Sequence, residues 1–405
     1  MATHPIRLAL FSGNYNAIRD GVAVSLNRLV GFLERKGVEV VVFAPTIHQP
    51  AVAHAGALVP VPSVPLPGRK EYRIALGLPP SCRRSLAAFR PNLFHISTPD
   101  LLGLAALRLA KRSGIPAVAS FHTRFDTYLR YYGARWLEKY ATMYLRYFYG
   151  QCDQVYVPSE SIAAVLREQR IGHDLRLWTR GVDSALFNPE RRDLAWRRSL
   201  GIGDDEIVIS FVGRLVREKG LKTFANVLDT LRAQGLRHRA LVIGEGPERQ
   251  WMQERLPDAI FTGYLEGQAL ARGYASSDVF FFPSVTETFG IVTLEAMASG
   301  VPSVCTKATG SSSLVSHGMS GFLAAPDQEA ECVAYLSRLI SDAELRRRMG
   351  NACVAHARAY DWDASLGALL SHYEELMEVR RTAAALPIRI GAPVSPVSAS
   401  ASPTR

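Results

Sequence analysis

The chain has 405 residues, 48% of them apolar, and carries a net charge of +10. It is too long for one ordinary domain core and long enough for two α/β domains, which would leave a cleft between them. No apolar run reaches the roughly 18 residues that cross a bilayer, and the chain opens without a basic and apolar leader, so we expect a cytoplasmic protein.

Cysteine spacing and charge distribution narrow the class further. The five cysteines are scattered and never approach Cys-x-x-Cys spacing, which argues against a disulfide framework and against a zinc site. Residues 1–186 contain 23 Lys and Arg against 12 Asp and Glu, whereas residues 187–405 contain 24 against 25. A basic half of this kind favours an anionic partner, namely nucleic acid, an anionic membrane surface or an anionic acceptor.

The N-terminal half alternates strand-like runs with helical ones. Apolar strand patterns occur at residues 6–11, 39–43, 93–96, 117–120 and 154–157. Amphipathic patterns such as 21–36 and 101–113 lie between them. The alternation predicts a parallel sheet covered by helices on both faces. The proline-rich stretch 59–80 predicts an irregular surface excursion.

A second α/β series follows, and we place the domain boundary between residues 186 and 187. Strands are predicted at residues 207–212, 240–243, 260–262, 279–282 and 302–305, with helices such as 221–234 between them. The series ends near residue 360, and a helical pattern covers 361–380. Residues 381–405 are mostly Ala, Pro, Ser and Val with almost no charge, which predicts a disordered tail.

One turn of the second series carries two carboxylates. Glu287 lies in the loop after a strand, and Glu295 lies about a turn and a half inside the following helix. The unpaired amides of Phe289, Gly290 and Ile291 at the helix start favour an anion such as a pyrophosphate. Two acids beside an anion site suit a ligand rich in hydroxyls. The alternative is one solvated Glu at a cap and another on an exposed face.

Other predicted strand ends also carry polar residues or glycine. Ligands of doubly wound domains bind outside the carboxyl ends of the strands. Gly21 lets a helix start approach a ligand closely, and His122 directly follows a strand. Arg214 and Lys219 lie between a strand and a helix, where Arg can grip a phosphate with two bonds and Lys adds a point charge. Ordinary turns and a structural His are the alternatives, and Arg217 could substitute for either cation.

In this order the motifs resemble those of the retaining family 4 glycosyltransferases. The resemblance covers residues 6–378, and the segment from Glu287 to Glu295 is its mark. The other matching motifs are Phe121-His122-Thr123, Arg180-Gly181-Val182-Asp183, Gly213-Arg214, Lys219-Gly220 and Gly244-Glu245-Gly246-Pro247. The chain is similar to GDP-mannose-dependent α-mannosyltransferases and to sulfoquinovosyltransferases of glycolipid synthesis.

This resemblance implies the GT-B fold, in which two Rossmann-like domains face each other across a cleft. Residues 1–186 would bind the acceptor, residues 187–360 would bind the nucleotide sugar, and helix 361–380 would cross back onto the N-terminal domain. The nucleotide diphosphate sugar is a co-substrate, so no cofactor is expected. Because none of the motifs that carry the resemblance contains an Asp-x-Asp sequence, we also expect no required metal.

The resemblance also assigns roles to individual residues. Gly21 would contact the donor phosphates, and His122 would lie beside the reacting sugar. Arg214 and Lys219 would offset the charge that develops on the departing diphosphate. The two acids would accept hydrogen bonds, Glu295 from the ribose and Glu287 from the donor sugar. Attack and departure on the same face of the sugar would give retention.

The stretch 124–149 interleaves aromatic and basic residues. Its basic members are Arg124, Arg130, Arg135, Lys139 and Arg146. Aromatic rings with cations favour a membrane interface, which predicts a lipid acceptor and a peripheral position on the inner face of the cell membrane. An aromatic core helix with a solvated basic face is the alternative. No nucleic-acid fold signature accompanies the stretch, so we expect no nucleic-acid partner.

The sequence therefore predicts transfer of a hexose, with mannose from GDP-mannose preferred, to a membrane lipid or glycan acceptor. The sulfoquinovosyltransferase likeness at residues 177–183 keeps a UDP-sugar-dependent glycolipid glycosyltransferase as the alternative. A nucleotide-sugar 2-epimerase shares the architecture but leaves residues 124–149 unused. A non-enzymatic basic protein that binds membranes or nucleic acid explains the charge but gives no purpose to the carboxylates and cations of the motifs.

Overall fold

The computed structural model describes residues 5–18, 20–66, 69–122, 124 and 135–385, without the side chains of residues 69–71, 135 and 383–385. Two parallel sheets covered by helices make up these residues, which confirms the predicted α/β class. None of the helices described is both long and apolar enough to span a bilayer.

The N-terminal half forms a seven-stranded sheet and a small hairpin. Its strands are β1 Arg7–Phe11, β2 Glu39–Pro45, β3 Ala57–Val61, β4 Ser63–Leu66, β5 Arg69–Ala75, β6 Leu93–Ile96, β7 Ala117–Ser120, β8 Gln154–Val157 and β9 Leu175–Leu177. The parallel sheet has the order β3-β2-β1-β6-β7-β8-β9. Its helices are α1 Gly21–Arg35, α2 Pro80–Phe89, α3 Leu101–Ser113, α4 Glu138–Tyr149 and α5 Glu160–Glu168.

The stretch predicted as an irregular excursion, residues 59–80, is largely strand. β3 extends the parallel sheet at its edge, and β4 pairs antiparallel with β5. The prediction of irregularity was therefore wrong here. Prolines are compatible with edge strands and two-stranded ribbons because they remove only hydrogen bonds that no inner neighbour needs; Pro60 and Pro65 lie in such strands.

The C-terminal half contains a six-stranded parallel sheet. Its strands are β10 Val208–Val212, β11 Arg239–Ile243, β12 Ile260–Gly263, β13 Val279–Phe282, β14 Ser303–Thr306 and β15 Gly321–Ala324, in the order β12-β11-β10-β13-β14-β15. Its helices are α6 Leu194–Ser199, α7 Leu221–Ala233, α8 Arg249–Arg255, α9 Gly267–Ala275, α10 Ile291–Ala298, α11 Thr309–Leu314, α12 Glu329–Ser341 and α13 Ala343–Ala357. Every residue of β10 and β13 is buried, as expected for strands covered on both faces.

The last helix, α14 (Trp362–Ala385), packs on the N-terminal sheet. Trp362, Leu369 and Tyr373 share a core cluster with residues of β1, β2 and α1. The Tyr373 hydroxyl lies 2.5 Å from Nδ1 of His95 in β6. The C-terminal helix thus packs against residues of the N-terminal half.

The start of the predicted disordered tail needs correction. Helix α14 continues to Ala385, so residues 381–385 are helical. The run Ala383-Ala384-Ala385 favours helix because alanine has the highest helix propensity. The remainder of the predicted tail, residues 386–405, lies outside the described residues.

Candidate active site

The two central strands of each sheet mark the crevice where a ligand binds. The strand order reverses between β10 and β13 in the second sheet, and between β1 and β6 in the first. Such switch points open a gap at the carboxyl ends of the strands. Arg214 follows β10 and Glu287 follows β13, so the chain delivers a cation and a carboxylate to the two sides of one gap.

Lys219 and Glu287 form an ion pair in this gap. Lys219 Nζ contacts Glu287 Oε1, each side chain is 17% exposed, and the Ser284 hydroxyl donates to the same oxygen at 3.3 Å. Gly220, with a φ of 74°, brings the lysine turn close to the strand end; a Cβ on it would lie 2.3 Å from the Pro283 carbonyl oxygen. Only glycine fits both that conformation and that approach.

The start of α11 holds the loop of Glu287 in place through hydrogen bonds to the backbone. The Glu287 carbonyl accepts hydrogen bonds from the Thr309 hydroxyl at 2.7 Å and from the Gly310 amide at 2.8 Å. A Cβ on Gly310 would lie 2.8 Å from the carbonyl carbon of Phe289. The sequence analysis missed Thr309 and Gly310, whose role depends on a contact 22 positions away along the chain.

Two helix starts meet at the cleft. Helix α10 begins after Gly290, which has a φ of 92°, and no side chain caps it, so its first amides stay available for an anion. Helix α1 starts at Gly21, where a Cβ would lie 3.3 Å from Cδ1 of Ile291. Asp20 caps α1 by accepting from the Ala23 amide at 2.8 Å. The predicted glycine and the predicted helix start therefore come together from opposite halves of the chain.

Arg214 reaches across to the N-terminal hairpin. Its Nη1 donates to the Tyr72 hydroxyl of β5 at 2.5 Å, and its Nη2 lies 3.9 Å from Oε1 of the buried Glu218. Neither Tyr72 nor Glu218 was singled out from the sequence. Arg217, left open as a substitute, instead pairs with Glu248 at 2.8 Å and is 82% exposed. Arg214 therefore lies at the cleft, whereas Arg217 lies at the exposed surface.

Glu295 lies in α10, the helix that follows the loop of Glu287. The Tyr274 hydroxyl donates to its Oε2 at 3.0 Å. Burial raises the pKa of Glu295 to about 7, and the Tyr274 hydrogen bond only partly opposes that rise. A carboxyl in this position can accept further hydroxyl donors, which favour its ionised form.

His122 follows β7 and faces the loop of Glu287. Its carbonyl accepts from the Thr288 hydroxyl at 2.9 Å, and its Nδ1 lies 2.6 Å from Nη2 of Arg180. Burial, followed by the charge of Arg180, holds the pKa of His122 well below its usual value.

The two halves of the chain also meet through two serines. Ser159 donates to the Thr288 carbonyl at 3.1 Å, and Ser161 donates to the Thr309 carbonyl at 2.5 Å.

The predicted acceptor residues lie on and before α4. Lys139 is exposed on this helix, and Arg146 Nε donates to the Gln169 carbonyl at 3.0 Å. Arg124 is partly buried near His122. Arg130 and the side chain of Arg135 lie outside the described residues, so their predicted contribution stays a prediction.

Comparisons with known proteins agree with this architecture. The family model "Glycosyltransferase Family 4" matches residues 19–186, and "Glycosyl transferases group 1" matches residues 193–354. The GDP-mannose-dependent alpha-mannosyltransferase of Mycolicibacterium smegmatis is 35% identical over 389 residues, which cover 94% of this chain and 100% of that enzyme. The chain belongs to the family 4 glycosyltransferases.

Two further proteins are similar to this glycosyltransferase, one in sequence and one in structure. The sulfoquinovosyl transferase of Arabidopsis thaliana is 33% identical over 370 residues, covering 89% of the glycosyltransferase and 72% of the plant enzyme. The structure of sucrose-phosphate synthase from Thermosynechococcus elongatus matches with a TM-score of 0.77 at 21% identity, covering 92% of this chain and 100% of that one. The glycosyltransferase therefore has the predicted GT-B fold of two Rossmann-like domains.

Proposed function

We propose that this glycosyltransferase transfers mannose from GDP-mannose, with retention, to a lipid or glycan acceptor at an anionic membrane surface. The observation that carries the proposal is the meeting of Arg214 and Lys219 with two helix starts at the switch-point gap. Cations and the uncapped first amides of α10 at one gap suit a diphosphate, whose negative charge increases as the sugar leaves.

The carboxylates of the gap suit the remainder of a nucleotide sugar. Glu287 is held by Lys219 and Ser284, and we assign it the hydroxyls of the donor sugar. Glu295 is assigned the ribose hydroxyls. Retention rests on the family resemblance, with the leaving phosphate assisting removal of the acceptor proton. Metal independence is part of the proposal, and turnover in the presence of a chelator tests it.

The likeness to relatives favours GDP-mannose over a UDP-sugar. The Mycolicibacterium mannosyltransferase matches over its whole length and at the higher identity, whereas the plant sulfoquinovosyl transferase matches over 72% of its length. The second candidate function, a UDP-sugar-dependent glycolipid glycosyltransferase, is favoured by that plant relative. Both candidate functions use the same phosphate clamp, which consists of Arg214 and Lys219. They differ in the base and the sugar of the donor.

The outer face of α4 supports an acceptor in a membrane. Tyr140, Met143 and Tyr147 are spaced on one face of α4, Trp136 lies in the 3-10 turn just before it, and the four are between 51% and 72% exposed. The opposite face of the helix buries Leu145 and Phe148. Aromatic side chains beside cations such as Lys139 prefer the interface between lipid and water. Trp136 lies only 14 positions after His122, so the exposed face is close in the chain to the cleft.

Release of the nucleotide diphosphate tests the donor. Purified protein is incubated with GDP-mannose, UDP-glucose and UDP-sulfoquinovose, each with and without membrane lipid extract, and free GDP or UDP is measured. We expect the largest release from GDP-mannose, with the mannosyl group recovered on lipid in the α configuration. Release only from a UDP-sugar would replace the first candidate with the second, and release from none would contradict both.

Vesicle sedimentation tests the membrane face. Binding should rise with the content of anionic lipid and fall with salt, because interfacial cations are screened over about 10 Å at 0.1 M salt. Replacing Trp136, Tyr140 and Tyr147 with Ser should weaken binding while donor hydrolysis persists. Trp251→Ser with Met319→Ser, at exposed apolar positions of the C-terminal half, is the control for the loss of exposed apolar surface as such. Binding that ignores lipid charge would favour a soluble glycan acceptor.

A further inference from the structure

The hydrogen bond between Arg180 and His122 determines where the imidazole carries its proton. Arg180 Nη2 lies 2.6 Å from Nδ1 of His122. A guanidinium has only N–H donors, so Nδ1 must be the acceptor of this bond. A neutral imidazole with an accepting Nδ1 carries its proton on Nε2.

Arg180 is itself held rigidly at this position. It is 5% exposed, its guanidinium carbon lies 4.3 Å from the centre of the Trp178 ring, and its Nη1 donates to the Trp178 carbonyl at 3.4 Å. Among the described residues no carboxylate forms an ion pair with it. Burial lowers the pKa of Arg180 to about 9, which leaves the guanidinium charged at neutral pH.

The other side of the imidazole has no partner among the residues that the structure describes. Nε2 of His122 is buried and finds no hydrogen-bond partner among the described residues. The His122 carbonyl accepts a hydrogen bond from the Thr288 hydroxyl of the Glu287 loop, so the backbone of His122 is held at the cleft. A buried donor without an acceptor costs free energy. An oxygen of a bound substrate would supply that acceptor.

We propose that Arg180 is a positioning residue that holds His122 in its Nε2–H form, so that His122 can donate a hydrogen bond to a substrate oxygen and cannot serve as a base. The inference rests on the proposed function for the substrate and on the described geometry for the tautomer. It implies that the proton of an acceptor hydroxyl leaves by another route, since Nε2 already carries one and Nδ1 is occupied.

The charged and titratable groups around His122 agree with a neutral ring. Arg180 is the cation beside it, and His95 of β6 is the other titratable group that acts on it. His95 is bonded to Tyr373 and Ser120, and burial, with the charge of Arg180, lowers its pKa to about 3. Among the described residues, the groups that act on His122 at neutral pH are therefore one cation and one uncharged ring.

Nitrogen NMR of the full chain labelled with ¹⁵N-histidine tests the tautomer directly. The signals of His122 are assigned by their absence in His122→Gln. We expect a neutral ring protonated on Nε2 in the wild type at neutral pH. A ring protonated on Nδ1, or on both nitrogens, would overturn the proposal whether or not the protein shows transfer activity.

Three substitutions of Arg180 separate positioning from mere packing. Arg180→Met removes both charge and donor, so the His122 pKa should move toward about 6.5 and the tautomer preference should be lost. Arg180→Gln keeps a donor for Nδ1 without the charge and should keep the tautomer. Arg180→Lys keeps both and should keep the wild-type spectrum. Unchanged His122 signals in Arg180→Met would refute the positioning role, and Arg180→Gln decides the question if the Met variant does not fold.

Turnover distinguishes this inference from the proposed function. Nucleotide diphosphate release should fall by about tenfold to a hundredfold in Arg180→Met, the range expected for loss of a hydrogen bond that involves a charged group. Arg180→Lys should restore most of it. If the wild type released no nucleotide with any donor, the proposed function would fail while the tautomer measurement still judged the role of Arg180.

Discussion

Replacing Glu295 with Gln should make the folded glycosyltransferase more stable at high pH. Burial raises the pKa of Glu295 from an ordinary 4.5 to about 7. Because the folded-state pKa is the higher one, the stability linked to this group is fully present below about 4.5 and is lost as the pH rises through about 7. At about 1.36 kcal/mol per pH unit the loss has an upper limit of roughly 3 kcal/mol.

Solvent reduces that limit, because Glu295 keeps part of its surface accessible. We expect about 1 to 2 kcal/mol of the free energy of unfolding to be lost by the wild type between about pH 5 and about pH 8. Glu295→Gln cannot ionise and should lose none of it. The Tyr274 hydroxyl, 3.0 Å from Oε2 in the wild type, can still donate to the side-chain carbonyl oxygen of the substituted glutamine.

Urea unfolding of both proteins at the two pH values measures the effect. The quantity to compare is the difference between variant and wild type, which should shift in favour of Glu295→Gln as the pH rises. Glu168→Gln, at an exposed position of α5, controls for the loss of a carboxylate as such. A difference that is the same at both pH values would refute the assignment of a buried carboxyl that ionises near neutral pH at this position.

Three further predictions concern the cleft. Arg214→Ala or Lys219→Ala should lower turnover efficiency by about tenfold to a hundredfold, since each removes a charge-assisted contact worth roughly 1.5 to 3 kcal/mol. Arg217→Ala, which changes an exposed neighbouring arginine, is the matched control. Activity equal to wild type in both the Arg214 and the Lys219 variant would contradict their role in phosphate binding. Glu287→Gln should chiefly depress transfer and Glu295→Gln should chiefly weaken binding of free nucleotide diphosphate, which calorimetry measures; equal losses of affinity would contradict this division. Tyr72→Phe should change the donor KM more than protein stability, because its hydroxyl contacts Arg214, and a KM equal to wild type would exclude Tyr72 from the donor site.

Much of the fold was predictable because buried parallel strands are continuous apolar runs. The predicted bounds agree fully for β6, β7, β8 and β13, and a proline follows three of these runs, β6, β8 and β13, within three positions. The sequence analysis missed β9 and β15, which have three and four residues. Both are edge strands that pair only with β8 and β14, respectively, and no local pattern in the sequence reports that pairing.

The site was predictable only as far as strand ends reveal it. Arg214, Lys219 and Glu287 follow strands, and a reader of the sequence can expect them at one edge of a sheet. The contact of Arg214 with Tyr72 joins residues 142 positions apart, and that of His122 with Arg180 joins residues 58 apart. The first pair depends on how the two halves face each other and the second on how the N-terminal half folds, so no local pattern in the sequence reports either contact.

Beside the cleft, the two halves of the chain are joined in part by hydroxyl groups. Ser159 and Ser161 donate to carbonyls of the opposite half, and Ser161 lies 2.8 Å from the Ser313 hydroxyl. If this row of hydrogen bonds opens, each hydroxyl group exchanges its protein partner for water, and the exchange itself exposes little apolar surface to solvent. Opening along it should therefore involve a small change in heat capacity. The balance between closed and open enzyme would then vary little with temperature, and substrate binding would govern it.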